Sequence, residues 1–288
     1  MSNLIEKYMQ EFGQKINTSP ELSDVSQDAI SKKLSDLFVV LLAGGKGERI
    51  RSVTHNEDIN KVMIRPLEKE SLIELAIKMY ANVGVRNFVV LTGFLADKVM
   101  EHLGNGSKYG VSIRYSPDPD RLVGSGGAVL NAIVNGVLPE DKMIIIHNPD
   151  DLIILDDGKS FPVELVRHHI FGLLHGTLAT VVAVPYTSYA YSGMVIDKGL
   201  VRSIQKYPKI YVPAHTGVTA FEPQALQLFK TYIDLNKKTS FEDIILPILS
   251  NEGKLFSYVI PADSWIPVND LKGLNAARRR LQSMGLPK

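Results

Sequence analysis

The chain has 288 residues, of which 45% are hydrophobic, so it can bury a sizeable core in one large α/β domain or two small ones. Its 32 Lys and Arg residues nearly balance 31 Asp and Glu residues, and this argues against a nucleic-acid partner, while the lack of cysteine excludes disulfides and thiolate sites. Because no apolar run approaches the roughly 18 residues of a spanning helix and the N-terminus lacks a signal-peptide pattern, we expect a cytoplasmic protein without a membrane partner.

Residues 1–36 are polar, and their apolar residues recur at helical spacing. This pattern predicts an N-terminal helical extension before a main domain at 37–288. No residue in the extension suggests chemistry. The helices pack either on the main domain or on another subunit, which leaves room for a homo-oligomer.

From residue 37 onward, predicted strands and helices alternate. The run at 37–42 is apolar on both faces, which is typical of a parallel strand buried on both sides of a sheet. This alternation predicts an α/β fold with a doubly wound, mostly parallel central sheet. Its further strands are expected at 88–91, 111–115 and 143–146, and its helices at 72–83, 95–103 and 128–134.

Beyond residue 150 the alternation loosens, and closely spaced strands predict a small, mixed, β-rich sheet built onto the first one. No internal repeat follows, so no β-helix is appended. The strands of this small sheet are expected at 178–184, 192–196, 201–206 and 217–221, after a helix at 163–174. The C-terminal part is expected to return to helices, at 241–249 and 271–281, separated by a strand at 256–260.

A glycine-rich loop directly follows the first strand and reads Ala43-Gly44-Gly45-Lys46-Gly47-Glu48-Arg49. Its glycines allow the backbone to turn N–H groups toward an anion, so that a triphosphate can approach closely. Lys46 and Arg49 add positive charge beside that concavity. A dinucleotide fingerprint is disfavoured because Ile50 replaces its third glycine, and a P-loop sequence is absent. A plain tight turn stays open as the structural alternative.

Together with Lys61 in Asn60-Lys61-Val62-Met63, the loop resembles the sugar-nucleotide pyrophosphorylases, nucleotidyltransferases that join an NTP to a sugar 1-phosphate. That family reads, roughly, L-A-G-G-x-G-x-R-L and then P-K-P-M, so Asn60 and Val62 replace its prolines. The resemblance implies that Arg49 and Lys61 are catalytic and stabilise the phosphates of the NTP. It also implies a nucleotide-binding loop made by Leu42, Ala43, Gly44, Gly45, Lys46 and Gly47.

The resemblance continues in order through about 240 residues, taking in Glu74, the strand end at 90–94 and the strand at 110–115. The run at 124–128 matches G-T-A-G-A, which in the family packs against base and ribose. By this resemblance Gly126 binds the nucleotide and Gly127 the sugar phosphate. The family's base-reading glutamine has no counterpart around 116–118, so the base is left open.

An acidic pair, Asp150 and Asp151, follows the strand at 143–146, at the edge where α/β proteins bind ligands. The family carries N-G-D here, so the resemblance implies that Asp150 binds nucleotide and Mg²⁺, with Asp151 sharing or replacing the metal role. The structural alternative is that both cap a turn. His147, close by, is expected to be structural.

The family's second metal ligand, in the pattern W-x-D-V-G-T, is replaced by Pro267 after Trp265. Proline has no side-chain ligand for Mg²⁺. Three outcomes stay open: Asn269 or Asp270 compensates, Asp150 and phosphates hold the metal alone, or catalysis is damaged.

Three later segments resemble the family's sugar-phosphate side. Gln205 stands in place of a family glutamate, beside Lys206, and His215 in place of an asparagine. Exchanging hydrogen-bonding groups in a sugar pocket changes specificity, so the sugar is expected to be unusual. The residues so assigned are Ser192, Gly193, Gln205, Lys206, His215 and Thr216.

The sequence therefore predicts an enzyme that joins an NTP to a sugar 1-phosphate with Mg²⁺ as cofactor, giving NDP-sugar and pyrophosphate. Two alternatives stay open: a non-catalytic regulatory or sensing homologue that binds nucleotide or sugar nucleotide, suggested by Pro267, Gln205 and His215, and nucleotidyl transfer to a non-sugar phosphate. A glycosyltransferase is disfavoured, because the loop suits a triphosphate.

Overall fold

A seven-stranded sheet organises the protein in the computed structural model, which describes residues 22, 25–48, 50, 59–119, 121 and 123–285. Neighbouring strands are parallel except that β11 runs antiparallel to both of its neighbours. In spatial order the strands are β12 (Leu255–Val259), β6 (Ala179–Val184), β11 (Ala214–Phe221), β4 (Ile144–His147), β1 (Phe38–Ala43), β2 (Asn87–Thr92) and β3 (Ser112–Pro117).

Helices cover both faces of this sheet, because each central strand sends alternate apolar side chains to opposite sides. Val39 and Leu41 join one core, with α1, α2, α3 and α5, and Phe38 and Val40 join the other, with α4, α6 and α7. No helix in the described part of the chain is both long and apolar enough to cross a membrane. The helices are α1 (Gln27–Asp36), α2 (Leu72–Ala81), α3 (Ala96–Leu103), α4 (Gly124–Val134), α5 (Phe161–Leu174), α6 (Pro223–Tyr232), α7 (Phe241–Asn251) and α8 (Leu271–Ser283).

The doubly wound, mostly parallel sheet is confirmed, but the expected small mixed sheet needs correction. The strands predicted at 178–184 and 217–221 are β6 and β11 of the main sheet. They join it because their alternating side chains are buried on both faces. Outside it lie a hairpin of β8 (Ser192–Asp197) and β9 (Leu200–Lys206), and the short pairs of β7 (Thr187–Ser188) with β10 (Lys209–Ile210) and of β5 (Asp151–Ile153) with β13 (Trp265–Pro267). Helix α6 was not predicted.

The described part of the predicted N-terminal extension is α1, which packs on the main domain. Ile30 and Leu34 are buried in the same core as α5. Lys33 lies 2.5 Å from the carboxylate of Glu222, which also contacts His169 at 3.1 Å. The first helix predicted in the extension lies outside the described residues.

The start of α2 is held by Glu74, a buried carboxylate with several hydrogen-bond donors around it. The backbone N–H and the hydroxyl of Ser71 donate to it at 2.9 and 2.8 Å, and the Tyr109 hydroxyl donates at 2.7 Å. His102 lies 3.1 Å away. Burial alone raises the pKa of Glu74, but these bonds outweigh burial and lower it to about 2.

We expect Glu74→Gln to destabilise the fold by about 1–3 kcal/mol at pH 7. A carboxyl whose pKa is depressed on folding stabilises above its unfolded pKa of 4.5, and that contribution is lost as pH falls toward about 2. Urea unfolding at pH 7 and pH 3 measures the difference, which should shrink at the lower pH. The control is Glu70→Gln, a more exposed ion pair with Lys78, expected to cost less than about 1 kcal/mol. An equal Glu74→Gln cost at both pH values would contradict the explanation.

Candidate active site

A cleft of about 590 Å³ opens at the carboxyl ends of β1, β2, β3 and β4. Since these four strands are parallel, the residues that follow them meet at one edge of the sheet, the usual ligand edge of such folds. The cleft is lined by Leu42, Gly44, Gly45, Lys46, Gly47, Glu48, Lys61, Val62, Leu91, Asp118, Gly124, Ser125, Ala128, Asn148, Asp150, Lys238 and Asn269.

The glycine-rich loop forms one wall of this cleft. Gly47 has φ +62°, and a Cβ there would lie 2.8 Å from Cβ of Lys61, so the loop passes too close for a side chain. Gly45 faces open space, which leaves its backbone accessible to a ligand. Arg49 lies outside the described residues.

Asn60, which replaces a family proline, anchors the lysine that follows it. Its side-chain amide donates to the carbonyls of Ala43 at 2.9 Å and Phe94 at 2.6 Å, and its oxygen accepts from the Val62 N–H at 3.1 Å. Asn60 is fully buried. These bonds tie the short helical turn Lys61–Met63 to the end of β1, so the loop position is kept without the proline.

Lys61 bridges two oxygen-bearing side chains at the floor of the cleft. Its ammonium donates to Asp150 and, at 2.7 Å, to Asn269 Oδ1. The side chains of Lys61 and Asp150 are 14% and 18% exposed, so solvent screens this pair only in part. The Lys61 ammonium is therefore held between a carboxylate and an amide oxygen that come from distant parts of the chain.

The two adjacent aspartates face different surroundings. Asp151 is buried, accepts from Trp265 Nε1 at 2.9 Å and Asn148 Nδ2 at 3.2 Å, and does not line the cleft. Burial, and then the charge of Asp150, raise the pKa of Asp151 well above its usual range. The structure thus brings Asp150 to Lys61 and turns Asp151 into a structural acceptor.

The residue opposite Asp150 is Asn269, two positions beyond Pro267. Pro267 lies in β13, paired with Asp151, and the next N–H, of Val268, donates to the Asp150 carbonyl at 2.7 Å. The chain then delivers Asn269 to Lys61. Asp270 instead caps α8, where it accepts from the Gly273 N–H at 2.8 Å. Of the three outcomes left open by sequence, the geometry favours compensation by Asn269.

The start of α4 forms the wall opposite the loop. Gly124, Ser125 and Ala128 line the cleft, whereas Gly126 and Gly127 are buried and do not. Both of those N–H groups point to the Thr239 carbonyl, at 2.9 and 3.4 Å. The resemblance selected Gly126 and Gly127, but the small residues that face the cleft are their neighbours Gly124, Ser125 and Ala128.

The residues assigned to the sugar phosphate do not line this cleft. Ser192, Gly193, Gln205 and Lys206 lie on the β8–β9 hairpin, Thr216 is buried with its hydroxyl donating to Val182, and His215 contacts Thr219 Oγ1 at 3.0 Å. A second cavity, of about 900 Å³, adjoins the cleft through Asn269 and is lined by Lys272. Lys206 and Lys272 both lie over the Tyr207 ring, at 5.2 and 4.7 Å, so Lys206 lies near that cavity.

The oxygen atoms around Lys61 fit Mg²⁺, which prefers one or two carboxylate or carbonyl oxygens together with phosphate oxygens and water. Asp150 and Asn269 supply one of each type. Across the described residues there is no cluster of three or more His, Cys, Asp or Glu side chains able to hold a metal. Any metal at this site would thus depend on substrate oxygens as well.

Solved structures share this fold. The structure of UDP-glucose pyrophosphorylase with UDP-glucose matches with a TM-score of 0.64 at 14% identity, covering 86% of this chain and 99% of that one. A Bacillus anthracis protein assigned as a glucose-1-phosphate thymidylyltransferase, crystallised with sucrose, also gives 0.64, at 18% identity over 88% of this chain and 98% of that one. The fold is therefore that of the nucleotide-diphospho-sugar transferases.

The family model described as nucleotidyl transferase matches residues 38–283, and the chain belongs to that family. A UTP–glucose-1-phosphate uridylyltransferase of Synechocystis sp. is 26% identical, covering 80% of this chain and 59% of the relative. A mannose-1-phosphate guanyltransferase beta-B of Xenopus laevis is 25% identical, covering 76% and 57%. The chain spans little more than half the length of these relatives. The resemblance drawn from the sequence is confirmed.

Proposed function

We propose that this protein transfers a nucleotidyl group from an NTP to the phosphate of a sugar 1-phosphate, releasing pyrophosphate. The observation that carries the proposal is the convergence of Lys61, Asp150 and Asn269 beside a glycine-rich loop, in a cleft at the carboxyl edge of the sheet. The relatives named for uridylyl and guanylyl transfer to sugar 1-phosphates support it.

In this reaction an oxygen of the sugar phosphate attacks the α-phosphorus in line. A new P–O bond forms as the bond to the pyrophosphate oxygen breaks. The nucleophile is already an anion, so no general base is needed, and catalysis reduces to positioning and charge neutralisation. Lys61 supplies positive charge at the phosphates, and the loop at 44–47 offers backbone N–H groups to them. Bound Mg²⁺ would neutralise phosphate charge further, held by Asp150 and Asn269.

The deciding experiment is pyrophosphate release with Mg²⁺, crossing the common NTPs, including dTTP, with a panel of sugar 1-phosphates. Release with a defined pair supports the proposal and names both substrates. The panel also includes phosphorylated alcohols and amino alcohols, and release with these alone assigns the same chemistry to a non-sugar acceptor. NTP binding without release across the panel overturns the enzymatic proposal in favour of a sensing homologue.

Asn269→Ala tests the metal part of the proposal. We expect the Mg²⁺ concentration for half-maximal activity to rise about tenfold, because one of two protein oxygens is lost. Pro267→Asp is the comparison: its position lies in β13, paired with Asp151, so the new carboxylate should not lower the Mg²⁺ requirement. A lower requirement in Pro267→Asp, with no change in Asn269→Ala, would assign the ligand to position 267.

A further inference from the structure

Part of the cleft lining is apolar and also carries a carboxylate, and we call this part the slot. Leu42, Leu91 and Ala128 line the slot, with Gly44 and Gly124 contributing no side chain. These are suitable walls for a flat aromatic ring. Asp118, the residue after β3, supplies the carboxylate; β3 lies three strands away from β4, which leads to Asp150.

A backbone hydrogen bond and close packing against two glycines fix the position of Asp118. Its backbone N–H donates to the Thr92 carbonyl at 2.7 Å, which continues the register of β2 with β3. Its Oδ2 lies over two glycines: a Cβ on Gly44 would be 3.3 Å from this oxygen, and a Cβ on Gly93 would be 3.0 Å away. A side chain at either position would crowd the carboxylate, so glycine is needed at both.

Among the residues that the structure describes, no side chain or N–H donates a hydrogen bond to the carboxylate of Asp118. Burial raises its pKa to about 6, so it is still mostly ionised above neutral pH. With no donor from the described residues, a half-buried carboxylate is costly, and a ligand that supplies donors relieves that cost.

A carboxylate beside an aromatic slot selects among nucleobases by their hydrogen-bonding edges. An ionised carboxylate only accepts, and its two oxygens match two neighbouring donors. Guanine offers such a pair, its ring N1–H and its exocyclic amino group. Uracil and thymine offer one N–H between two carbonyl acceptors, which the carboxylate would repel. Adenine and cytosine each place a ring-nitrogen acceptor beside the amino group.

We propose that Asp118 makes this site selective for guanine, so that the nucleotide substrate is GTP. The inference rests on the proposed function for its meaning in catalysis, but it concerns binding and can be tested without turnover. An amide at this position both donates and accepts, so Asp118→Asn would suit uracil or thymine better than guanine.

The test is equilibrium binding of GTP, UTP, dTTP, ATP and CTP to the full chain at pH 8 with Mg²⁺, by titration calorimetry. We expect GTP to bind about tenfold or more tightly than the other nucleotides, the size of effect that one bidentate base contact supplies. Asp118→Asn should remove that preference while keeping UTP affinity. Asp118→Glu, which keeps the carboxylate, should keep the order of preference with weaker binding.

Asp141→Asn, an exposed acid outside the cleft, is the matched control and should bind like the wild type. Thermal unfolding of each variant separates lost selectivity from lost fold. A wild type that prefers another base, or a guanine preference that survives in Asp118→Asn, overturns the inference. Turnover with UTP or dTTP and no effect of Asp118→Asn would leave the proposed function standing and sink this inference. Selective GTP binding without any pyrophosphate release would support this inference and contradict the proposed function.

Discussion

Asp150→Asn is expected to lower kcat/KM for pyrophosphate release by about 10²- to 10³-fold, in the range seen when one preorganised charge or metal ligand is removed. The amide keeps a neutral oxygen near Lys61 but removes the negative charge that would hold a cation beside the phosphates. Stability should fall by about 1–3 kcal/mol, because Lys61 loses its charged partner in a pair whose side chains are only 14% and 18% exposed. Steady-state kinetics across a Mg²⁺ titration, together with urea unfolding, measures both.

Asp151→Asn is the matched comparison, one residue along the chain. Burial already raises the pKa of its carboxyl, which accepts hydrogen bonds from Trp265 and Asn148, roles that an amide oxygen can partly fill. We expect activity within about tenfold of the wild type. If Asp151→Asn abolished the Mg²⁺ response and Asp150→Asn kept it, Asp151 would be the metal ligand and Asp150 the structural residue.

Gly124→Ala is expected to destabilise the fold by about 3–5 kcal/mol, combining a left-handed backbone with an overpacked contact. Gly124 has φ +77°, and a Cβ there would lie 2.5 Å from the Thr239 carbonyl oxygen. This contact is with backbone, which cannot swing away as a long side chain can. The shift that relieves it would displace the wall of the cleft in which we propose that the NTP binds, so NTP affinity should fall as well.

Gly136→Ala, just beyond the other end of α4, separates the two contributions. Its φ is +68°, but an added Cβ there meets nothing within 4 Å. It should therefore cost only the backbone term of about 1–2 kcal/mol and leave NTP affinity unchanged. Urea unfolding and NTP titration of both variants test this. If both alanine variants lost the same free energy of unfolding, the contact with Thr239 would not be the cause of the Gly124→Ala effect.

Local pattern was enough for much of the fold. The apolar run at 37–42 and the alternation after it predicted β1 to β4, with α2 to α4 between them, because a strand buried on both faces needs no polar side. The glycine-rich loop was also visible, because three glycines directly after a buried strand let the backbone turn tightly and approach a ligand closely. Lys61 and Asp150 followed from the family's motifs.

Sheet order was decided by long-range pairing. The β6 run is apolar like that of β1, but nothing local distinguishes β11, which also joins the main sheet, from β8 and β9, which form a separate hairpin. Strand partners are chosen by burial against helices that come later in the chain, such as α6 and α7. Predicting a separate small sheet was therefore wrong for β6 and β11.

The sequence by itself determined the class of the fold, the loop and the lysine, because these depend on periodicity and on contiguous motifs. Only the tertiary structure decided which of two adjacent aspartates faces Lys61, and that Asn269 rather than Pro267 reaches it. It likewise placed Asp118 in the lining of the same cleft. The physical reason is that the orientation of a side chain within an irregular turn is set by partners far away in the chain, Trp265 for Asp151 and Lys61 for Asn269, and no local pattern records those partners.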